Sequence, residues 1–213
     1  MLSKVFLYVR EHGFIAALRR IVDIFLKSRR YIWLYEKYEI YSKDIVSFSS
    51  GENEKFIFRQ AKDEDISLVA EQFSSHFGDD ASESLLQRIS TGEILLLGFL
   101  KENSQTICFL SWISEIDSLF LESKKVKSLE RSVCIYKVLV PQEFRNMKVG
   151  RAGIEFVERI SHDLGYNEIL GYVLFDNIAS KKMFEKSGWN VVGELRKFIL
   201  FGRQSNHVYF NKD

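Results

Sequence analysis

Cysteine is scarce in this sequence of 213 residues, excess charge of either sign is scarcer, and no long apolar run occurs. Each shortage removes a class of protein. Two cysteines, Cys108 and Cys134, make no disulfide framework, and without a Cys-x-x-Cys pair there is no zinc signature. That usage fits a reducing, cytoplasmic compartment. Thirty Lys and Arg against 29 Asp and Glu leave a net charge of +1. Nucleic-acid binding normally needs a basic field that releases counterions, so no nucleic-acid partner is expected. Charges break every apolar run well short of the ~20 residues a membrane-spanning helix requires. Arg10, Glu11 and His12 interrupt the first apolar stretch, so the start does not read as a secretory signal. Repeats and low-complexity tracts are lacking too. His76, His162 and His207 have no partners at metal or triad spacing, and no metal is expected.

What remains is material for a folded domain. Hydrophobic residues make up 46% and charged residues 28%, which supplies a core and excludes wholesale disorder. Residues 1–45 read as a separate N-terminal extension. Phe14, Leu18, Ile21 and Phe25 recur at helical spacing with Arg19, Arg20 and Lys27 elsewhere on the wheel, the pattern of a basic amphipathic helix. Tyr31, Trp33, Tyr35, Tyr38 and Tyr41 then form an aromatic patch. Lys and Arg outnumber Asp and Glu eight to four over residues 1–40, so the positive excess is local to this end. Such a helix suits docking on the main domain, docking on a second subunit in a homodimer, or peripheral contact with a membrane. Docking is the expectation.

Residues 46–213 read as one α/β domain with a mixed sheet. Strands are expected over 55–61, 94–100, 106–113, 133–140, 168–174, 191–201 and 207–211. Helices are expected from an Asp63 cap to Phe77, and over 81–89, 149–164 and 179–186. Glu102-Asn103-Ser104 separates two apolar runs as the turn of an antiparallel hairpin. Lys124, Lys125 and Lys127 lie in a polar connection.

Two stretches carry chemistry. In Val140-Pro-Gln-Glu-Phe-Arg145-Asn-Met-Lys148-Val-Gly150-Arg151, a strand leads into a turn that opens a helix. Helix N-termini present unpaired N–H groups and the positive end of the helix dipole, and Arg145, Lys148 and Arg151 add charge, so the turn is a candidate anion site. The plain alternative is a glycine that permits close packing among solvated basic residues. In Asn177-Ile-Ala-Ser180-Lys-Lys-Met-Phe184-Glu-Lys-Ser-Gly188-Trp189, a short helix ends at a glycine cap.

In this order and separation the two stretches resemble the GNAT superfamily of acyl-CoA-dependent N-acetyltransferases. Arg88-Ile-Ser-Thr-Gly-Glu93 before one strand and Ser111-Trp112 in the next resemble a common subgroup of it. The resemblance covers residues 55–213 and implies a GNAT-type mixed, mostly antiparallel sheet flanked by helices. It also implies acetyl-CoA as acyl donor. Val138 and Val140 would pair with its pantetheine arm through backbone groups. The amides of Arg145, Asn146, Met147, Lys148, Val149, Gly150 and Arg151 would wrap its pyrophosphate. Asn177, Ser180 and Phe184 would line the other side. A neutral amine would then attack the thioester directly.

The departures from the pattern are specific. Lys148 stands where the family usually has its first loop glycine. Phe184 stands where many members carry a tyrosine that protonates the departing thiolate. Cys134 and Tyr136 occupy strand positions where some members place a Glu or His base. Tyr136, Glu115 and Tyr172 are the candidate catalytic residues. The expected activity is acetyl transfer to a small primary amine, an amino sugar in polysaccharide biosynthesis for example. The alternatives are a non-catalytic acetyl-CoA-binding protein of the same fold and an acetyltransferase acting on protein amines.

Overall fold

The computed structural model describes residues 34–45, 55–77, 80–115, 131–200 and 203–211. The amphipathic helix expected around residues 14–25 and the polar connection at 124–127 lie outside them. The chain divides into two compact units, residues 1–37 with 196–207 and residues 38–195 with 208–213. Within the first, Tyr35 and Phe198 pack with ring centroids 5.1 Å apart and Lys197 pairs with Glu36 at 3.5 Å. The candidate site belongs to the second.

Eight strands form one sheet: β1 (Leu34–Asp44), β2 (Phe56–Gln60), β3 (Ile94–Leu100), β4 (Asn103–Glu115), β5 (Ser132–Leu139), β6 (Glu168–Leu174), β7 (Asn190–Leu200) and β8 (Arg203–Phe210). Their spatial order is β2-β3-β4-β5-β6-β1-β7-β8. β5 and β6 are parallel; the β1–β6, β2–β3, β3–β4 and β4–β5 pairs are antiparallel. The helices are α1 (Ile66–Gln72), α2 (Ser74–Phe77), α3 (Ala81–Ser90), α4 (Val149–Asp163) and α5 (Ile178–Lys186). Period-2 alternation in the strands sends one set of side chains to each face. On one face Leu95, Leu97, Trp112 and Tyr136 pack with Val69 of α1 and Leu85 of α3. On the other Val133, Ile135, Ile169 and Val173 pack with Ile154 and Val157 of α4 and Phe184 of α5.

Two findings differ from the sequence reading. Residues 34–44, read there only as an aromatic patch, form β1, which lies between β6 and β7 in mid-sheet. The expected continuous helix from Asp63 to Phe77 is a 3-10 turn at Asp63–Asp65, then α1, then α2 after a break at Phe73. The carboxylate that closes its start is that of Asp65, not Asp63. Asp65 accepts from the Lys62 N–H at 2.7 Å and from Arg59 Nη1 and Nη2 at 2.5 and 2.8 Å. Arg59 in turn lies over the Phe99 ring at 4.6 Å, tying β2 to this start. Among the described residues no helix is long and apolar enough to cross a membrane.

Candidate active site

The sheet opens along one seam. β5 and β6 are paired from Ser132↔Glu168 to Ile135↔Gly171, and the register stops there although β5 runs on to Leu139 and β6 to Leu174. On its other side β5 stays with β4, but irregularly. Tyr136 faces Trp112 and Leu139 faces Leu110, so three steps on β5 match two on β4. Lys137, at φ 48°, takes up the extra residue as a bulge, which bends β5 away from β6. The backbone from Val138 to Val140 thus borders the open seam, with those side chains half-buried.

The turn after Val140 is folded by its own hydrogen bonds. Phe144, buried in the core, anchors a 3-10 turn at Gln142–Phe144. Arg145 Nε donates back to the Val140 carbonyl at 3.3 Å. Asn146 and Lys148 adopt left-handed backbone, φ 66° and 65°, and Lys148 is the residue that enters α4. Lys148 O, which accepts from Ala152 N at 3.1 Å, is the first carbonyl of the helical ladder. The N–H groups of Val149, Gly150 and Arg151 precede the ladder and have no acceptor among the described residues. Arg145, Asn146, Met147, Lys148 and Arg151 are exposed around them, while Val149 is buried beneath. Arg151 pairs with Glu155 at 2.9 Å one turn along α4. A Cβ at Gly150 would meet Met183 Sδ of α5 at 2.8 Å, so a larger residue here would make that thioether shift. Free amides, basic side chains and a close-packed glycine fit a pyrophosphate.

Asn177 Oδ1 accepts from the Ser180 N–H at 3.1 Å and caps α5. Phe184 is 3% exposed and lies at the last paired position of β6: a Cβ on Gly171 would meet its Cε1 at 2.9 Å. Trp189 meets it edge-on at 4.8 Å and Tyr41 of β1 lies at 5.5 Å. The seam, the 145–151 turn and α5 therefore converge at one end of the sheet.

The candidate catalytic residues divide. Tyr136 and Tyr172 share the face that carries α1–α3, one on each bank of the seam. Tyr136 stacks on Trp112 at 6.3 Å; Tyr172 meets Tyr38 edge-on at 5.5 Å. Burial pushes the Tyr172 phenol well above its ordinary range. Cys134 is wholly buried beside Ile40 and Leu170, and burial raises its thiol too. Glu115 is not with them. It pairs with Val133, about 10 Å down the strands from the Trp112–Tyr136 pair, and accepts from the Tyr166 hydroxyl at 3.4 Å at the opposite end of the sheet.

Sequence reasoning missed the partners of Tyr136. Its hydroxyl donates to Glu93 Oε2 and accepts from Arg88 Nη1 at 2.7 Å, and Arg88 also reaches Glu93 Oε2 at 3.3 Å. The Arg88 guanidinium lies 5.6 Å from the centre of the Tyr136 ring and 5.8 Å from that of Trp112. The Arg88…Glu93 spacing was the available signal, and only the fold brings it to β5. Among the described residues no cluster of His, Cys, Asp and Glu is suited to a metal ion.

No protein-family model matches the chain, and no curated protein matches it significantly in sequence. Many solved structures match in shape. A Drosophila protein aligns with a TM-score of 0.58 at 10% identity, over 87% of this chain and 58% of its own. A region of a fungal multi-domain GH3 β-N-acetylglucosaminidase, described as a GCN5-related glucosamine N-acetyltransferase, aligns with a TM-score of 0.58 at 13% identity, over 89% of this chain and 23% of its own. A probable acetyltransferase aligns with a TM-score of 0.52 at 16% identity, over 63% of this chain and 89% of its own. The chain thus spans about three fifths of the Drosophila protein and about a quarter of the fungal one. It has the fold of the GNAT N-acetyltransferases.

Proposed function

We propose that the protein transfers an acetyl group from acetyl-CoA to a small-molecule primary amine. The observation that carries this reading is the seam, where β5 parts from β6 after Ile135↔Gly171 at the end of the sheet that leads into the 145–151 turn. The backbone of Val138 and Val140, which borders the seam, would pair with the pantetheine arm, and the amides of Val149, Gly150 and Arg151 would take the pyrophosphate. The thioester would then lie in the seam next to Tyr136 and Tyr172. No covalent intermediate on the protein is required, because an amine held against the thioester attacks it directly.

An amino sugar is the acceptor we favour. Electron-withdrawing ring oxygens lower its amine pKa below that of an alkylamine, so less help is needed to expose the lone pair. The glucosamine N-acetyltransferase description of one protein of the same fold agrees with that choice. A second reading, acetyl-CoA binding without turnover, draws on Phe184, a buried ring without a proton to give.

Thiol release from acetyl-CoA, measured with glucosamine, spermidine and a lysine peptide as acceptors, separates these readings. Turnover with glucosamine above the other two is expected, and tight acetyl-CoA binding with no turnover would favour the second. Arg145→Ala should lose a charge-assisted phosphate contact of about 1.5–3 kcal/mol. Unchanged acetyl-CoA affinity by calorimetry would remove the turn from the binding site.

A further inference from the structure

The protein uses Arg–carboxylate pairs in two ways on the same face of the sheet. At Arg59 and Asp65 both guanidinium nitrogens meet both oxygens, at 2.5 and 2.8 Å, in the fork geometry of a structural clamp. At Arg88 and Glu93 the fork is not used. Arg88 Nη1 and the Tyr136 hydroxyl both converge on Oε2, and among the described residues Oε1 accepts no hydrogen bond. The Glu93 side chain is 15% exposed, so its open oxygen belongs to a carboxylate that solvent still reaches. The Trp112 ring stacks on Tyr136, and its buried Nε1 has no acceptor among the described residues.

The location matters as much as the geometry. Tyr136 is the first residue of β5 beyond the last pair with β6, so the carboxylate it holds stands at the mouth of the seam. Charged and titratable groups face Glu93 from three elements: Arg88 from α3, Tyr136 and Lys137 from β5, and Tyr172 from β6. Desolvation and the Arg88 charge lower the Lys137 ammonium, with Glu93 opposing them. Glu93 is the carboxylate of this group, and a cation entering the seam would meet it.

We propose that Glu93 is the catalytic base of the transfer, with Oε2 held by Arg88 and Tyr136 and Oε1 open to the ammonium of the acceptor. The inference rests on the acetyltransferase reading above. Glu93 takes one proton from R–NH3+ and passes it to solvent. The freed lone pair attacks the thioester carbonyl, and a C–N bond forms. The tetrahedral intermediate collapses as the C–S bond breaks and its electron pair leaves on sulfur. The second nitrogen proton goes to the thiolate. The sum is R–NH3+ and acetyl-CoA to R–NH–acetyl, CoA thiol and one released proton. Arg88 and Tyr136 act as positioning residues for the carboxylate.

The test is the pH dependence of kcat/KM for the best acceptor among glucosamine, spermidine and a lysine peptide. Wild type should level off below the pKa of the amine, because the protein removes the proton. Glu93→Gln should keep wild-type acetyl-CoA affinity by calorimetry and lose about 100-fold or more in rate near neutral pH. Its rate should climb with the fraction of free amine, so the loss shrinks as pH passes the amine pKa. Glu93→Asp, which keeps a carboxylate, should retain the levelled profile at reduced kcat and serves as well if the Gln variant does not fold. A wild type that acetylates while Glu93→Gln matches it in rate and profile overturns this inference alone. So does a loss that is equal at every pH, which would mark a packing role. A wild type that binds acetyl-CoA but acetylates none of the three amines overturns the enzymatic reading and this inference together.

Discussion

Lys148 offers a test in which backbone and charge can be separated. It enters α4 at φ 65° and ψ 7°, with no side-chain capping bond. A left-handed conformation costs a residue with a Cβ about 1–2 kcal/mol, and glycine avoids this cost. Glycine gives back about 0.5–1 kcal/mol because its unfolded chain is more flexible. Lys148→Gly should therefore stabilise the protein by about 0.5–1 kcal/mol. For a domain of this size that is a rise in Tm of about 1–4 °C. Lys148→Ala keeps the strain and should leave Tm unchanged.

Acetyl-CoA affinity, measured by calorimetry on the same two variants, reads out the ammonium. If it contacts the phosphates, both variants lose about 1.5–3 kcal/mol, or about 10- to 150-fold in Kd. If close backbone approach matters more, Lys148→Gly regains affinity over Lys148→Ala. A lower Tm for the glycine variant than for wild type would refute the strain argument. Equal affinity in all three proteins would refute a phosphate role for Lys148.

Two further outcomes follow from the packing. Hydrogen bonds from Arg59 hold the Asp65 carboxyl below its ordinary range against the opposing effect of burial. A depressed folded-state pKa adds stability above the unfolded value of about 3.9 and loses it as pH falls through the folded value. Asp65→Asn should thus lower stability at neutral pH by about 2–3 kcal/mol, discounted from a fully buried pair because Arg59 is a third exposed. The deficit in urea unfolding should narrow below pH 4, and a constant gap down to pH 2 would refute the linkage. Phe184→Tyr should retain turnover, since a thiolate of pKa about 8.5 leaves without obligatory acid assistance. A wild type without turnover beside an active tyrosine variant would contradict that, while Phe184→Ala should cost about 3–5 kcal/mol in thermal stability, and an unchanged Tm would contradict its packing role.

The element order from β2 to β8 was legible because those segments are bounded by turn residues and carry apolar runs of strand or helix length. β1 was not, for a physical reason. On the face toward α4 and α5 its positions are Glu39, Tyr41 and Lys43, and charged residues at such spacing read as solvent-facing. In the fold each has a helix partner: Glu39 pairs with Lys181 of α5 at 2.7 Å and Lys43 with Glu158 of α4 at 2.8 Å. Glu158 is also held by the Trp189 indole N–H at 2.7 Å. Partners this distant in sequence leave no local trace. The turn at 145–151 was legible as strand, basic turn and helix, whereas the left-handed backbone of Asn146 and the bulge at Lys137 were not, since neither residue is a glycine. Arg88 and Glu93 stood out as a spacing, but their function depends on Tyr136, which only the β3–β4–β5 pairing brings beside them.

The position of β1 also sets the order in which the molecule can assemble. β1 is synthesised before every strand that neighbours it, and its Glu39 must wait for Lys181, 142 residues later. Until β6 exists, β1 has no partner on that side, and until β1 is seated, β7 has no edge on which to pair. The half of the sheet from β2 to β5 closes through neighbours in sequence and needs none of this. Closing a loop of such length is entropically expensive and slows folding. The sheet should therefore form in two kinetic stages, the strands that neighbour one another in sequence first and the β6-β1-β7 insertion last. In the interval β1 is an unpaired, tyrosine-rich strand, the kind of exposed edge at which chains associate.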